Sequence, residues 1–352
     1  MPIWKSPVLY IGVLLVLAVA GALLAPFVMD LNAYRAGLED YGRKLTGRTV
    51  TIGGPISVRL FPWPRLAAAD VHLTNPPGLG EAEFATAERI VVRVSLAGLF
   101  SGNIQVESID IEKPVITIER RAEGQGNWSF TPAGDLAENK LLDRVKLDRV
   151  TLTNGVLRLI DRRRGGEAKL ENLNASLAAP GIAGPWRMRA SVSYRGRPLD
   201  IGINTGAWKA GEAFRFGFHI APGDNSGLVY NFDGANDGEK IAGTMQIEPA
   251  ANPEGKEDAE GRIRPLVFKA KVEADFDHIA FNAIEIAPRD PGNGGTLVSG
   301  SASLTLGKTM SAEAELSASK IDLDQYAGAE VRRLLREGGG LAVADSLLGL
   351  LP

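Results

Sequence analysis

The chain contains no cysteine. That absence removes disulfides, thiolate nucleophiles and every cysteine-based zinc site together, and it is compatible with an oxidising compartment. Histidine is scarce: His72, His219 and His278 are scattered along the chain without an HExxH or comparable ligand spacing, so they read as surface or core residues rather than metal ligands. GxSxG, Walker and GxGxxG signatures are missing, and nothing places a serine together with a histidine and a carboxylate. In "FDGANDGEK", Asp233, Asp237 and Glu239 supply only part of a calcium ladder and read as a hairpin turn. Asp322 and Asp324 alternate with Ile321 and Leu323, which makes them one face of a strand before they make a carboxylate pair. A basic excess is missing too: 39 Lys and Arg stand against 42 Asp and Glu, a net charge of −3 that offers no general field for nucleic acid. The expectation is a protein that is not an enzyme, holds no metal or cofactor and has no nucleic-acid partner.

What is present begins with a greasy N-terminus. Val8 to Met29 run without a charge, long enough for the ~20-residue helix that crosses a bilayer core. Ala20, Gly21 and Ala22 offer a signal-peptidase-like site, but the apolar region of a cleaved signal is about 7 to 15 residues, shorter than this run. Residues 1–29 are therefore read as a retained transmembrane anchor. Lys5 before the run and Asp30 after it orient the tail to the cytoplasm and the body outside, although Arg35, Arg43 and Lys44 pull against that bias. Across residues 30–46, Leu31, Tyr34, Leu38, Tyr41 and Leu45 recur at helical spacing, which predicts a membrane-proximal stalk helix.

Beyond Gly47 the period changes from 3.6 to 2. Val50 and Ile52, then Ile56, Val58 and Leu60, alternate with polar residues, and Gly53, Gly54 and Pro55 predict the turn of a hairpin between them. The same grammar fills most of the remaining chain, through Ile90, Val92 and Val94; Ile109 and Ile111; Ile116 and Ile118; and Val150 and Leu152. Asn154-Gly155 is a tight-turn signal before Leu157 and Leu159. Phe214, Phe216 and Phe218, and later Phe268, continue the pattern. Strands so closely spaced predict a mainly β fold with a long, curled, largely antiparallel sheet, apolar on one face. Pro62 and Pro64 should stop the first strands, with Trp63 plugging the first layer of a trough rather than sitting in a bilayer interface. The β region is placed at residues 47–326, and residues 327–352, with a glycine break and Leu341 to Leu351, at a short helical segment. A closed barrel or sandwich filled by its own side chains is the alternative to an open apolar trough suited to acyl chains. Period 2 fixes the face of Ile90, Val92, Val94, Ile109, Ile111, Ile116, Ile118, Phe214, Phe216, Phe218 and Phe268, but not what occupies it.

The stretch from "LTGRTVTIGGPISVRLFPWPRL" to "GNWSF", residues 45–130, resembles the N-terminal region of the AsmA family of bacterial envelope proteins. The matching positions are Gly47, Arg48, Pro62, Pro64, Asp70, Asn75, Pro76, Gly78, Gly102, Pro114, Asn127 and Trp128. The "IDLDQY" at Ile321–Tyr326 is similar to a recurring family phrase. The resemblance implies an inner-membrane anchor, a body in the periplasm, phospholipids as partners along an apolar β-groove, and a part in lipid transport and outer-membrane biogenesis. Many members are longer than this chain. The competing expectation is a non-transporting assembly factor or scaffold that binds other envelope proteins by strand addition.

Overall fold

A computed structural model describes residues 31–60, 63–76, 83–95, 106–121, 126–128, 147–162, 165–180, 184–207, 212–224, 227–250, 265–275, 277–289, 296–306 and 310–318. The apolar run Val8–Met29 and the segment 327–352 lie outside these residues. Among those described, no helix is long and apolar enough to cross a membrane. The chain divides into two units, Met1–Arg197 and Pro198–Pro352.

The first unit opens with a 3-10 turn, Leu31–Tyr34, and helix α1, Arg35–Thr46. Gly47 ends the helix: at φ 69° it adopts the left-handed conformation that glycine takes without a Cβ penalty, and its N–H donates to the Arg43 carbonyl at 2.8 Å. Strands β1 (Val50–Ile52), β2 (Ile56–Arg59), β3 (Arg65–Leu73), β4 (Ala85–Val94), β5 (Val106–Glu112), β6 (Val115–Arg120), β7 (Leu147–Asp161), β8 (Gly166–Ala179) and β9 (Arg187–Tyr194) follow.

Their pairing corrects three readings. First, β1 and β2 are not a hairpin. Both run antiparallel to β3, with Val50 opposite Leu73 and Ile56 opposite Ala68, so Gly53-Gly54-Pro55 is an irregularity inside one interrupted edge strand. Its N–H groups still bond across, from Gly53 to Asp70 at 2.7 Å and from Gly54 to Ala69 at 3.0 Å. The reversal comes one step later, between β2 and β3. Second, Asn154-Gly155 is not a turn but the middle of the continuous strand β7. Third, the sheet is mixed. Strands β5 and β6 both pair in parallel with β7, with Val106 opposite Leu147 and Val115 opposite Val156. A parallel pair needs a crossover of a dozen or more residues, and residues 121–146 between β6 and β7 provide that length.

The second unit is a plain antiparallel meander in chain order: β10 (Arg197–Thr205), β11 (Phe214–Pro222), β12 (Leu228–Asn236), β13 (Ile241–Pro249), β14 (Leu266–Ala274), β15 (His278–Pro288), β16 (Val298–Leu306) and β17 (Met310–Ala318). Aspartates shape two of its hairpins. Asp237 Oδ1 accepts from the Glu239 and Lys240 N–H groups at 3.0 and 2.8 Å, so this carboxylate of "FDGANDGEK" is engaged by its own turn. Asp275 Oδ1 accepts in the same way from Asp277 and His278, both at 2.8 Å. Those backbone donors favour the ionised form and hold both carboxyls below their ordinary range.

Candidate functional site

The first unit carries one apolar face built from cross-strand rows. Val92 stands opposite Leu66 on one side and Ile109 on the other, and Ile109 then faces Val150, Val150 faces Leu177, and Leu177 faces Met188. A second row passes from Ala68 through Ile90, Ile111, Leu152 and Ala175 to Ala190. A third passes from Ala85 through Ile116, Leu157 and Leu170 to Tyr194, with Ile118 opposite Leu159 beside it. Val94 faces Val106. Met188, Ala190 and Tyr194 share one phase of β9, which carries no interruption, so all three rows share one face of the sheet.

That face survives because of an extra residue in several strands. In an unbroken strand Ile111 and Ile116, an odd number apart, would point to opposite faces. Lys113, between them, takes φ 45°. Asp70 at 52°, Asn154 at 54° and Asn172 at 53° do the same in β3, β7 and β8. The four residues lie at the same level across the sheet. Asp70 falls between the pairs Ala69–Arg89 and Val71–Ala87, Lys113 Nζ pairs with Glu88 of β4 at 2.8 Å, and the Lys113 N–H donates to the Thr153 carbonyl at 2.8 Å. Further along, the Asn154 N–H donates to Asn174 Oδ1 at 3.1 Å, and Asn174 Nδ2 donates to the Asn172 carbonyl at 2.9 Å. Bulges bend and twist a strand, and bulges in register crease a sheet. Ile52, Ala87, Pro114, Gly155, Leu173 and Val192 are buried along this crease. Gly155 is required there, since a Cβ would come within 2.8 Å of Pro114 Cγ.

Away from the crease the face is only partly covered. Ile90, Val92, Val94, Ile109, Ile111, Ile116 and Ile118 are all half-buried. The strands belong to one sheet, and α1 is the one α-helix among the described residues, so no separate layer of described structure roofs them.

The second unit has a comparable face with more aromatic character. Ile203, Phe218, Phe232, Met245 and Ala270 form one cross-strand row; Ile201, Ile220, Tyr230, Ile247, Phe268 and Ile286 form the next. Phe214, Phe216, Phe218 and Phe268 are half-buried, as the alternation predicts. The alternation does not single out Phe232, the only one of these phenylalanines to be buried, at 5% exposure. Its ring lies 5.3 Å from those of both Phe216 and Phe218. The cue is the pair Gly234 and Gly243, which stand opposite each other under its edge.

The motif residues of the first unit serve a different purpose. Arg48 and Asn127 are buried at 4% and 1% exposure. An Arg48 Nη donates to the Asn127 carbonyl at 2.6 Å, and the guanidinium stacks 4.4 Å above the Phe84 ring. Burial pushes the guanidinium below its ordinary pKa. The Asn127 side chain accepts from the Glu119 N–H at 2.8 Å and donates to the Thr117 carbonyl at 2.8 Å and to Asn75 Oδ1 at 2.9 Å. Trp128 packs its ring over Gly126, where a Cβ would collide with it. Thus Arg48, Asn75 and Asn127 are joined in one polar knot, with Phe84 and Thr117 as members the motif does not mark. Pro76 is half-buried beside Asn75, and Pro64 is buried, its carbonyl accepting from Val94 at 3.0 Å. Pro62, Gly78 and Gly102 lie outside the described residues. Trp63 is 58% exposed and plugs nothing, which corrects the expectation placed on it.

Two further clusters are polar. Asp70 Oδ1 lies 2.9 Å from His72 Nε2, and a Glu83 carboxylate oxygen lies 2.8 Å from Nδ1. The two carboxylates, Glu83 foremost, raise the imidazole pKa. Helix α1 caps the free edge of β1: Arg35 donates to the Ile52 and Gly54 carbonyls, both at 2.9 Å, and Glu39 Oε1 accepts from the Ile52 N–H at 2.8 Å. Edge strands are sites of unwanted pairing, and this one has its outward groups occupied by side chains. Among the described residues no group of three or more His, Asp or Glu is placed to hold a metal ion.

Comparison with known proteins agrees with the motif residues. The model of the AsmA family matches residues 3–193. The AsmA family protein YhjG of Escherichia coli strain K12 is 25% identical over 297 residues, covering 79% of this chain and 38% of that protein. The chain thus matches well under half of the relative's length. No solved structure matches the chain.

Proposed function

The chain belongs to the AsmA family, and from that premise we propose that it is an inner-membrane-anchored periplasmic protein that holds phospholipid acyl chains against its apolar sheet faces and supports lipid transport in the cell envelope. The observation that carries this reading is the half-buried state of Ile90, Val92, Ile109, Ile111, Phe216 and Phe268. A face packed as a protein core would have its isoleucines and phenylalanines buried, and contiguous exposed apolar surface marks a binding site. The uncharged run Val8–Met29 supports a tether to the membrane that supplies the lipid. The protein acts as a carrier, with no reaction of its own.

Site-specific photocrosslinking tests this in the full chain within the bacterial envelope. Benzoylphenylalanine in place of Ile111 or Phe268 should yield phospholipid adducts by mass spectrometry. In place of Arg89 or Lys269, on the opposite face, it should not. Adducts at neither apolar position would leave the scaffold reading in the lead. That reading draws on β17, an edge strand exposed along its whole length and paired, among the described residues, only with β16.

A further inference from the structure

Resting on the reading of the second unit's apolar face as an acyl-chain surface, we propose that Phe232 is its selectivity element: a recessed ring whose size sets how deeply a chain can lie there.

The geometry is local to β11, β12 and β13. Gly234 and Gly243 are directly opposite each other on neighbouring strands. A Cβ at either would collide first with a main-chain carbonyl, that of Ala242 or Asp233, and would also stand 2.6 Å from Phe232 Cζ, so the glycine pair admits both the close approach of β12 to β13 and the tip of the ring. Phe232 is buried, while its neighbours Phe216 and Phe218, both on β11 at ring distances of 5.3 Å, remain half-buried beside it. The result is a recessed aromatic floor with two rings of β11 on one side and Met245 of β13 on the other. Glycine in a strand interior sacrifices packing and conformational entropy, and it marks a place where something must approach closely. Here two glycines admit a close approach of two strands and the tip of one ring.

A recessed ring matters only if the space above it is used. Its own row and the rows on either side present isoleucine, phenylalanine, valine, methionine and alanine, with Tyr230 and Thr205 as the polar members and no charged side chain, so the groups at hand suit a hydrocarbon and offer a headgroup no counter-charge. The charged residues of β11 to β14, Arg215, Asp233, Glu248, Lys269, Lys271 and Glu273, belong to the opposite phase. The ligand portion recognised at Phe232 is thus an acyl chain, and a larger or smaller residue at 232 changes the depth available to it.

The experiment places benzoylphenylalanine at Phe216, beside the floor, and separately at Ile111 in the first unit, in the full chain within the bacterial envelope. Phe232→Trp overfills the hollow and lifts the ring into the path, so lipid adducts at position 216 should fall at least about threefold while those at 111 hold. Phe232→Leu deepens the hollow, and adducts at 216 should rise or shift toward lipids with bulkier chains. Equal adduct yield and composition at 216 in the parent and both variants would overturn the proposal and leave lipid binding standing. If Phe232→Trp loses adducts at both positions, the fold has suffered and Phe232→Leu alone decides: a change confined to 216 supports the proposal, and no change overturns it. Absence of adducts at both positions in the parent would remove the lipid reading and this inference together.

Discussion

Arg48 donates a 2.6 Å hydrogen bond to the main-chain carbonyl of Asn127, a residue 79 positions further along the chain. Since Arg48 directly follows the glycine that ends α1, this bond ties the foot of the helix to the far side of β6. Asn127 in turn spends its whole side-chain amide on Glu119, Thr117 and Asn75. Removing it takes a partner from the part-buried Glu119 N–H, from the buried Thr117 carbonyl and from Asn75 Oδ1 at once. Asn127→Ala should cost about 2–4 kcal/mol, measured by denaturant unfolding of the full chain in detergent. Asn127→Asp, which keeps the acceptor for Glu119 but sets a carboxylate oxygen against the buried Thr117 carbonyl, should cost at least as much as alanine.

Asn154 adopts its left-handed backbone in the middle of a strand. A β-branched side chain is strained there, so Asn154→Val should destabilise by about 1–2 kcal/mol, whereas Asn154→Gly should stay within about 1 kcal/mol of the parent. The ordering of the two thermal melting points is the decisive measurement. Equal loss in both would mean that the asparagine side chain, rather than its backbone, is what β7 needs.

How much of this was legible in the sequence depends on what decides each feature. Strand identity was legible, because Ile90-Val92-Val94 and Phe214-Phe216-Phe218 declare their period locally. The odd interval between Ile111 and Ile116, and again between Leu152 and Leu157, held the crease in plain sight. Gly53-Gly54 and Asn154-Gly155 nevertheless read as turns, because the residues that favour a tight turn are the same ones that admit a bulge. Parallel pairing of β5 and β6 with β7 was not legible, since it depends on where residues 121–146 return the chain. Arg48, Asn75 and Asn127 could be flagged as a motif, but that they touch is a property of the fold. Phe232 was hidden by its own regularity, and only the glycine pair distinguishes it.

His72 joins Asp70 and Glu83 most strongly when it is protonated. Its folded pKa lies above its ordinary value, so folding favours the charged ring. The stabilisation is therefore complete below about pH 6.5 and is lost as pH rises through the raised folded value. The melting-point difference between the parent and His72→Gln should be largest near about pH 6 and shrink by about pH 8.5. A difference that stayed constant across that window would show that the ring contributes packing alone.

Arg35 and Glu39 occupy the outward backbone groups of Ile52 and Gly54. With both changed to alanine, the β1 edge has free donors and acceptors, and the full chain in detergent should form more dimer and higher species by sedimentation velocity. Arg43→Ala, which disturbs only a surface pairing with Asp40 on α1, should leave the distribution as it is.

The crease also governs which changes of length the first unit can absorb. Deleting Asn154 alone would leave Leu152 and Leu157 four apart, an even interval that a regular strand carries on one face, so β7 could straighten with both halves inward but would lose the crease it shares with its neighbours. Losing Asn154 and Gly155 together would make that interval odd with nothing left to absorb it, and would turn Leu157 and Leu159 to the other face. The unit therefore behaves like woven cloth with a sewn pleat: one stitch let out of a single thread leaves that thread whole but takes it out of the fold its neighbours share.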